Sequence, residues 1–287
     1  MTDWFEETLH SGVRIRLAID KILYEGDSEH QELMLFENNA FGRVLALNNI
    51  IQTTERDEFI YHEMLAHVPL FAHGAVRKVL IVGGGDGGML EEVLKHPGVE
   101  QVTMVEIDED VVAFSKEHLR FICHDAFEDP RLDLVIADGV DFVETTDQRY
   151  DVAIIDSTDP VGPGDVLFTE RFYTAAKGCL AQGGVMVTQN GVPFYQGSEL
   201  TGTISCLRPL FRDATCYLAA VPAYTGGVMA FGWATDNVTL RQAPLDRLRE
   251  RVRKAALDLG YYSPEVHVGA FAIPPWVASL MGGVNKV

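Results

Sequence analysis

The sequence is short of cysteine, of basic residues and of long apolar runs, and each shortage excludes something. Its four cysteines, Cys123, Cys179, Cys206 and Cys216, show no C-x-x-C or other metal-ligand spacing. That argues against a zinc site or a disulfide framework and for reduced, mostly buried thiols. No apolar stretch approaches the roughly 20 residues of a membrane-spanning helix. The opening Met-Thr-Asp-Trp-Phe-Glu-Glu has neither the basic nor the apolar region of a secretion signal, so a cytoplasmic location is expected. Lys and Arg number 23 against 42 Asp and Glu, a net charge of −19, which disfavours nucleic acid and anionic membrane as partners and favours a cation. Repeats and low-complexity segments are lacking too. What remains is 287 residues, 47% hydrophobic and 23% charged, an ordinary globular composition with enough chain for a large core.

The most informative stretch is residues 78–108. Val79-Leu80-Ile81-Val82 is a short apolar run that stops at glycine and reads as a buried parallel strand. Gly83, Gly85 and Gly88 fit G-x-G-x-x-G, and Met89, Leu90, Val93 and Leu94 follow at helical spacing until Pro97-Gly98. A second strand, Val102 to Val105, is capped by Glu106, 18 residues beyond Gly88. This β-turn-α-β order predicts a nucleoside site: glycines let the backbone approach the ligand, and a strand-end acid accepts the ribose hydroxyls. Asp86 narrows the ligand. At the tip of this loop a carboxylate would repel the pyrophosphate of a dinucleotide, and equally the carboxylate of S-adenosylmethionine. A ligand with adenosine at one end and a bare amine at the other suits it, and decarboxylated S-adenosylmethionine has that shape.

Ahead of this unit, residues 10–53 read as small antiparallel β structure, with strands at 13–19, 33–36 and 43–47 and turns at Asn38-Asn39 and Asn48-Asn49. Gln31 enters one of these strands; in isolation it reads as a solvated polar residue. Thr54-Glu-Arg-Asp57 predicts a helix start, and the helix is expected to end before Pro69. Tyr61 and His62 lie on it, adjacent and so on different faces; on residue type alone they read as a core tyrosine and a structural histidine. Beyond it, Asp108 should cap a helix. A third strand (131–136) ends in Asp138-Gly139, where Asp138 is placed to accept from an adenine amino group or to form a turn.

The fourth strand, 150–155, runs into Asp156-Ser-Thr-Asp159-Pro-Val-Gly-Pro163-Gly164. Two strand-end carboxylates followed by a Pro- and Gly-rich loop, expected to be non-helical, point to a cleft with a covering loop. Helices near 169–180, 198–210 and 245–257 and strands at 185–189, 214–220 and 228–234 follow, then an extended tail through Pro274-Pro275-Trp276. The expected fold is a doubly wound α/β class I methyltransferase-like (Rossmann-like) seven-stranded sheet over residues 56–287, with a small N-terminal antiparallel β domain over 1–55.

These motifs together resemble the spermidine synthases, the polyamine aminopropyltransferases of bacterial type, nearly end to end. The resemblance is carried by Trp4 and Glu7, Phe-Gly-Arg-Val at 41–44, Gln-Thr-Thr-Glu-Arg-Asp-Glu at 52–58 and Tyr-His-Glu-Met at 61–64. It continues through Gly-Gly-Gly-Asp-Gly-Gly at 83–88, Val-Glu-Ile-Asp at 105–108, Asp-Ser-Thr-Asp-Pro-Val-Gly-Pro at 156–163 and the Pro-Ala-Tyr-Thr-Gly-Gly turn at 222–227. It implies Asp156 as proton acceptor, with Gln31, Glu106, Asp138, Gly139 and Pro163 as nucleoside contacts and Asp86 on the aminopropyl ammonium. Tyr61, His62, Asp86, Asp156, Asp159, Gln189 and Tyr224 would form the polyamine groove. Putrescine and decarboxylated S-adenosylmethionine are the implied substrates, and a homodimer or homotetramer the implied assembly; neither metal nor redox cofactor is expected. Three departures stand out: Asn48-Asn49 where Asp-Gly is usual, Glu91 on an expected solvated face where arginine is usual, and Ala223 where threonine is usual. Rival readings are another amine acceptor such as cadaverine, agmatine or spermidine, a putrescine N-methyltransferase, an NAD-dependent dehydrogenase and a non-catalytic polyamine-binding protein. Asp86 weighs against the methyltransferase and the dehydrogenase, and the nucleoside half of the site against the binding protein.

Overall fold

A computed structural model describes residues 2–28, 30–159 and 162–282, the side chains of Gly162 and Pro163 excepted. At the N-terminus β1 (Asp3–Glu7) pairs antiparallel with β2 (Ile15–Ile19), and β3 (Lys21–Asp27), β4 (Glu32–Asn38), β5 (Gly42–Leu47) and β6 (Ile50–Thr54) form a four-stranded antiparallel sheet in sequential order. The sequence pattern missed β1, β3 and β6. Its Leu33–Phe36 run is apolar without alternation because both faces of this sheet are covered. Leu33, Leu35, Leu45 and Leu47 pack with Val111, Phe114 and Leu119, while Phe36, Val44 and Ala46 pack with Phe5, Ile51 and Ala223. Asn48 and Asn49 take φ of 49° and 60°, the mirror-image turn that two-residue hairpins prefer.

Helix α1 (Glu58–His73) starts later and ends later than expected. Asp57 is its N-cap residue, and the Thr54 hydroxyl donates to Asp57 Oδ1 at 2.5 Å instead of capping the helix itself. Pro69 lies inside it. Proline costs one backbone hydrogen bond, but every residue from Ile60 to Ala72 is buried, and that packing outweighs the local preference.

The alternation of strand and helix then runs as β7 (Lys78–Gly83), α2 (Gly88–Leu94), β8 (Gln101–Glu106), α3 (Glu109–His118), α4 (Arg120–Cys123), β9 (Leu132–Ile136), α5 (Gly139–Thr145) and β10 (Tyr150–Asp156). A 3-10 helix (Gly162–Phe168), α6 (Glu170–Gly178), β11 (Leu180–Gln189), α7 (Pro193–Leu210), β12 (Asp213–Ala219) and β13 (Met229–Thr235) complete the sheet, and α8 (Leu245–Ala255), α9 (Pro264–Ala270) and α10 (Pro275–Leu280) close the chain. The expected non-helical loop after Asp159 therefore carries a 3-10 helix, which tolerates glycine and proline in short pieces. The seven-stranded sheet has the order β12-β13-β11-β10-β7-β8-β9, with β9 to β11 parallel through the middle and β12 and β13 antiparallel at the edge. Strand order reverses between β7 and β10, the switch point at which open α/β sheets form their binding crevice. Val79 and Ile81 enter the apolar layer beneath α1 and α2; Leu80 and Val82 enter the layer beneath α5, α6 and α7. Among the described residues no helix is long and apolar enough to cross a membrane.

The expected extended tail is instead α9, packed on β12 and α8, and α10, packed on α7. Buried Glu63 anchors its approach by accepting from the backbone of Gly260 at 2.6 Å, Tyr261 at 2.9 Å and Tyr262 at 2.6 Å. His267 on α9 is buried, pairs through Nδ1 with the Tyr262 hydroxyl at 2.8 Å, and is pushed down to about 4 by burial and by nearby Arg251. A histidine kept neutral by the fold contributes stability that is complete above its ordinary value of 6.5 and lost as pH falls from there toward 4. His267→Phe should therefore flatten the pH dependence of urea unfolding between pH 7 and 5, by about 2 kcal/mol relative to wild type at the lower pH. Parallel pH profiles for the two proteins would contradict this.

Candidate active site

The carboxyl ends of β7, β8 and β10 open into one cleft, roofed by β1, β5, β6 and the 222–227 turn. Gln31, Tyr61, His62, Asp86, Glu106, Asp138, Gly139, Asp156, Asp159, Gln189 and Tyr224 all line it. Pro163 is the exception, since its side chain lies outside the described residues.

The junction of β7 and β10 fixes the centre. Gly83 is the register partner of Asp156, and the backbone N–H of Gly84 donates to the Asp156 carbonyl at 3.0 Å. Gly83 sits at φ 85°, and a Cβ there would lie 2.2 Å from that same carbonyl oxygen. Only glycine permits this approach. The loop beyond folds back through Asp86, whose Oδ1 accepts from Gly88 N at 2.9 Å.

Tyr61 and His62 were expected on different faces of α1, yet both reach the cleft. Their rings meet edge to face at 5.2 Å, because the glycine loop and the end of β10 wrap around that part of the helix. The Tyr61 hydroxyl donates to Asp156 Oδ1. His62 is almost wholly buried, with Nδ1 2.7 Å from Glu58 Oε2 and Nε2 3.4 Å from Asp86 Oδ2. Burial works against an imidazolium, but Asp86 and Glu58 outweigh it and hold His62 well above its ordinary range. Desolvation, then repulsion from Asp86, raises Asp156 to about 6, opposed by His62 and the Tyr61 hydrogen bond.

At the end of β8 Glu106 is buried and raised to about 7 by desolvation, although Oε1 accepts from Ile107 N at 2.8 Å and Asp108 N at 3.0 Å. Asp108 caps α3 as expected, accepting from Asp110 N and Val111 N. Its other oxygen takes the Gln31 amide at 3.2 Å, so Gln31 is tethered across the two sheets, not merely solvated. Asp138 N-caps α5, a helix the sequence pattern missed, through Oδ1 to Val140 N at 2.7 Å. Glu91 does not line the cleft; it pairs with Lys95 at 2.9 Å and is half-buried, where an exposed face was expected.

At the far end, Tyr224 is held by its hydroxyl on the Gln52 carbonyl and Asp159 by the Gln196 amide. Gln189 donates to the Ser157 carbonyl at 3.3 Å. Asp57 Oδ2 fixes the 222–227 turn by accepting from Ala223 N at 2.6 Å, and Ala223 packs against the Phe5–Phe36 cluster. Glu7, buried and raised by desolvation, also lines this end. Sequence reading did not single out Glu58, Gln52 or Gln196. The i,i+4 spacing of Glu58 and His62 was a usable signal; a backbone carbonyl such as that of Gln52 gives none.

The cleft thus lies at the carboxyl edge of an α/β sheet, with Glu106 and Asp138 at the ends of β8 and β9 and an acidic channel across β10. Residues 3–55 match the family described as spermidine synthase tetramerisation domain, and residues 58–243 match the spermine/spermidine synthase domain. The chain is 54% identical over 278 residues to polyamine aminopropyltransferase 1 of Pseudomonas aeruginosa, covering 97% of each protein. It is 53% identical over 277 residues to a polyamine aminopropyltransferase of Ruegeria sp., covering 96% of this chain and 98% of the relative. Its backbone superposes on a spermidine synthase crystallised with the transition-state analogue AdoDATO with a TM-score of 0.92 and 39% identity, over 98% of this chain and 95% of that one. Spermidine synthase from Thermotoga maritima gives 0.89 and 37%, over 98% and 94%. The chain belongs to the spermine/spermidine synthase family. It is an enzyme, an aminopropyltransferase.

Gly83→Ala tests the junction. Moving the Asp156 carbonyl aside to admit a methyl group displaces the carboxylate by about 1 Å, and a misplacement of that size costs on the order of 10²-fold in turnover. Wild-type activity in Gly83→Ala would show that the close approach is dispensable.

Proposed function

We propose that this enzyme transfers the aminopropyl group of decarboxylated S-adenosylmethionine to putrescine, giving spermidine and 5′-methylthioadenosine, with Asp156 as general base. The observation that carries the reading is the pairing of Asp156 with Asp86 across the glycine loop, each held by one of two adjacent α1 side chains. Glu106 takes the ribose hydroxyls, Asp138 and Gln31 the base end, with Gly139 and Pro163 beside them. Asp86 binds the aminopropyl ammonium, which leaves the methylene next to the sulfonium facing Asp156.

The acceptor amine must be neutral to attack, yet such amines have pKa about 10, near that of lysine. The Asp156 carboxylate takes the proton, and the Tyr61 hydroxyl fixes the direction of its free lone pairs. The nitrogen lone pair then forms the new C–N bond as the C–S bond breaks in line, and the electron pair leaves on sulfur as a neutral thioether. Asp159, Tyr224 and Gln189 position the diamine, with its distal ammonium at the acidic far end, so the length of the channel selects the acceptor. The N-terminal sheet supports an oligomer, since the family it matches is described by tetramerisation.

Asp156→Asn should lower kcat by roughly 10²–10⁴-fold with little change in donor binding, the usual worth of a positioned base. In the wild-type enzyme kcat/KM should fall on acidification through pH 7 to 6, where Glu106 and Asp156 take up protons in the free protein. The sign is set by the base, which works only as the carboxylate. Undiminished turnover in Asp156→Asn would overturn the assignment.

A further inference from the structure

His62, expected to contact the polyamine, lines the cleft, and its geometry adds a further task that brings in a residue outside that lining. We propose that Glu58 is a positioning residue, which holds His62 as an imidazolium bridged between Glu58 and Asp86 so that Asp156, beside Asp86, remains a carboxylate. The proposal rests on the reading of Asp156 as the base.

Each ring nitrogen of His62 faces a carboxylate oxygen: Nδ1 at 2.7 Å from Glu58, Nε2 at 3.4 Å from Asp86. Ionised carboxylates only accept, so both nitrogens must carry protons for both contacts to be favourable. The histidine side chain is 2% exposed, against 17% for Glu58 and 18% for Asp86, so little water competes. The ring has its place by construction, because a Cβ at Gly88 would lie 2.3 Å from His62 Cε1. Glu58 stands one turn before His62 on α1, a spacing that the helix fixes whether or not a ligand is bound.

The groups that face this ring from its surroundings are few. Glu58 and Tyr61 come from α1, Asp86 from the glycine loop and Asp156 from the end of β10; Tyr224 of the 222–227 turn meets Tyr61, and Cys123 of α4 lies near Asp86. Among them only His62 can be a cation. Asp86 and Asp156 repel one another, and the imidazolium is what offsets that repulsion. Loss of the Glu58 charge leaves Asp86 to hold the ring proton alone; His62 discharges at lower pH and Asp156 protonates at higher pH.

The test reads the histidine directly. In ligand-free wild-type protein with 15N-labelled histidine, the His62 ring should show both nitrogens protonated at pH 8. In Glu58→Gln, which keeps the shape and removes the charge, its titration midpoint should fall by a unit or more, about tenfold in proton affinity. The acid limb of kcat/KM should move up in the same variant, giving about tenfold lower kcat/KM near pH 6 with less than about threefold change at pH 8.5, and Glu58→Asp should restore part of the loss. A neutral His62 in wild type at pH 8 overturns the proposal. So does an unmoved midpoint in Glu58→Gln, or an activity loss equal at all pH values, which is what a purely structural role produces. The ring signal needs no substrate, so it stands or falls separately from the assigned base.

Discussion

Asp86 and Asp156 occupy one desolvated cleft, across a single turn of backbone, and much of the structure around them manages the resulting repulsion. Burial, and then the nearby Asp86 charge, disfavour ionisation of Asp156 and raise it to about 6. The protein counters with the Tyr61 hydroxyl on Asp156 and the His62 ring on Asp86, two neighbours on one helix that approach from adjacent directions. The burial of α1 over nearly its whole length, through Pro69, makes it a rigid support for both contacts. What is left uncompensated is negative, and it suits a donor and an acceptor that are both cations.

The same economy of position governs the rest of the cleft. Three parallel strands end at one level, so Gly83, Glu106 and Asp156 are brought together by the sheet before any loop contributes. The N-terminal sheet serves the same site from outside: Gln31 is tied to Asp108, Gln52 holds Tyr224, and Glu7 deepens the acidic end. A chain with 42 acids and 23 bases needs no overall field to steer a polyamine, but its sign is the right one.

What was legible in the sequence was local. Gly83, Gly85, Gly88 and Glu106 announce their positions by spacing within one β-α-β unit, and Asp156 by ending an apolar run, so the fold class and the place of the cleft could be read directly. What failed depended on burial or on partners distant in sequence. Pro69 looked like a helix terminator because the packing that holds α1 together is contributed by other elements. β4 lost its alternation because α3 and β1 cover opposite faces. α9 did have a signal, Ser263 capping Val266 N with Pro264 in the first turn, but the helix is short and its periodicity slight. His62 could be named but not understood: Glu58 lies at the right spacing, whereas the approach of Asp86 needs the tertiary structure.

The proposed reaction joins a decarboxylated nucleoside donor to a diamine in this cleft. The most direct measurement is product analysis after incubation with decarboxylated S-adenosylmethionine and a panel of putrescine, cadaverine, agmatine and spermidine, with S-adenosylmethionine as a parallel donor. The expected products are 5′-methylthioadenosine and spermidine in equal amounts from putrescine, with no transfer from S-adenosylmethionine. Methyl transfer from S-adenosylmethionine, with the decarboxylated donor inert, would contradict it.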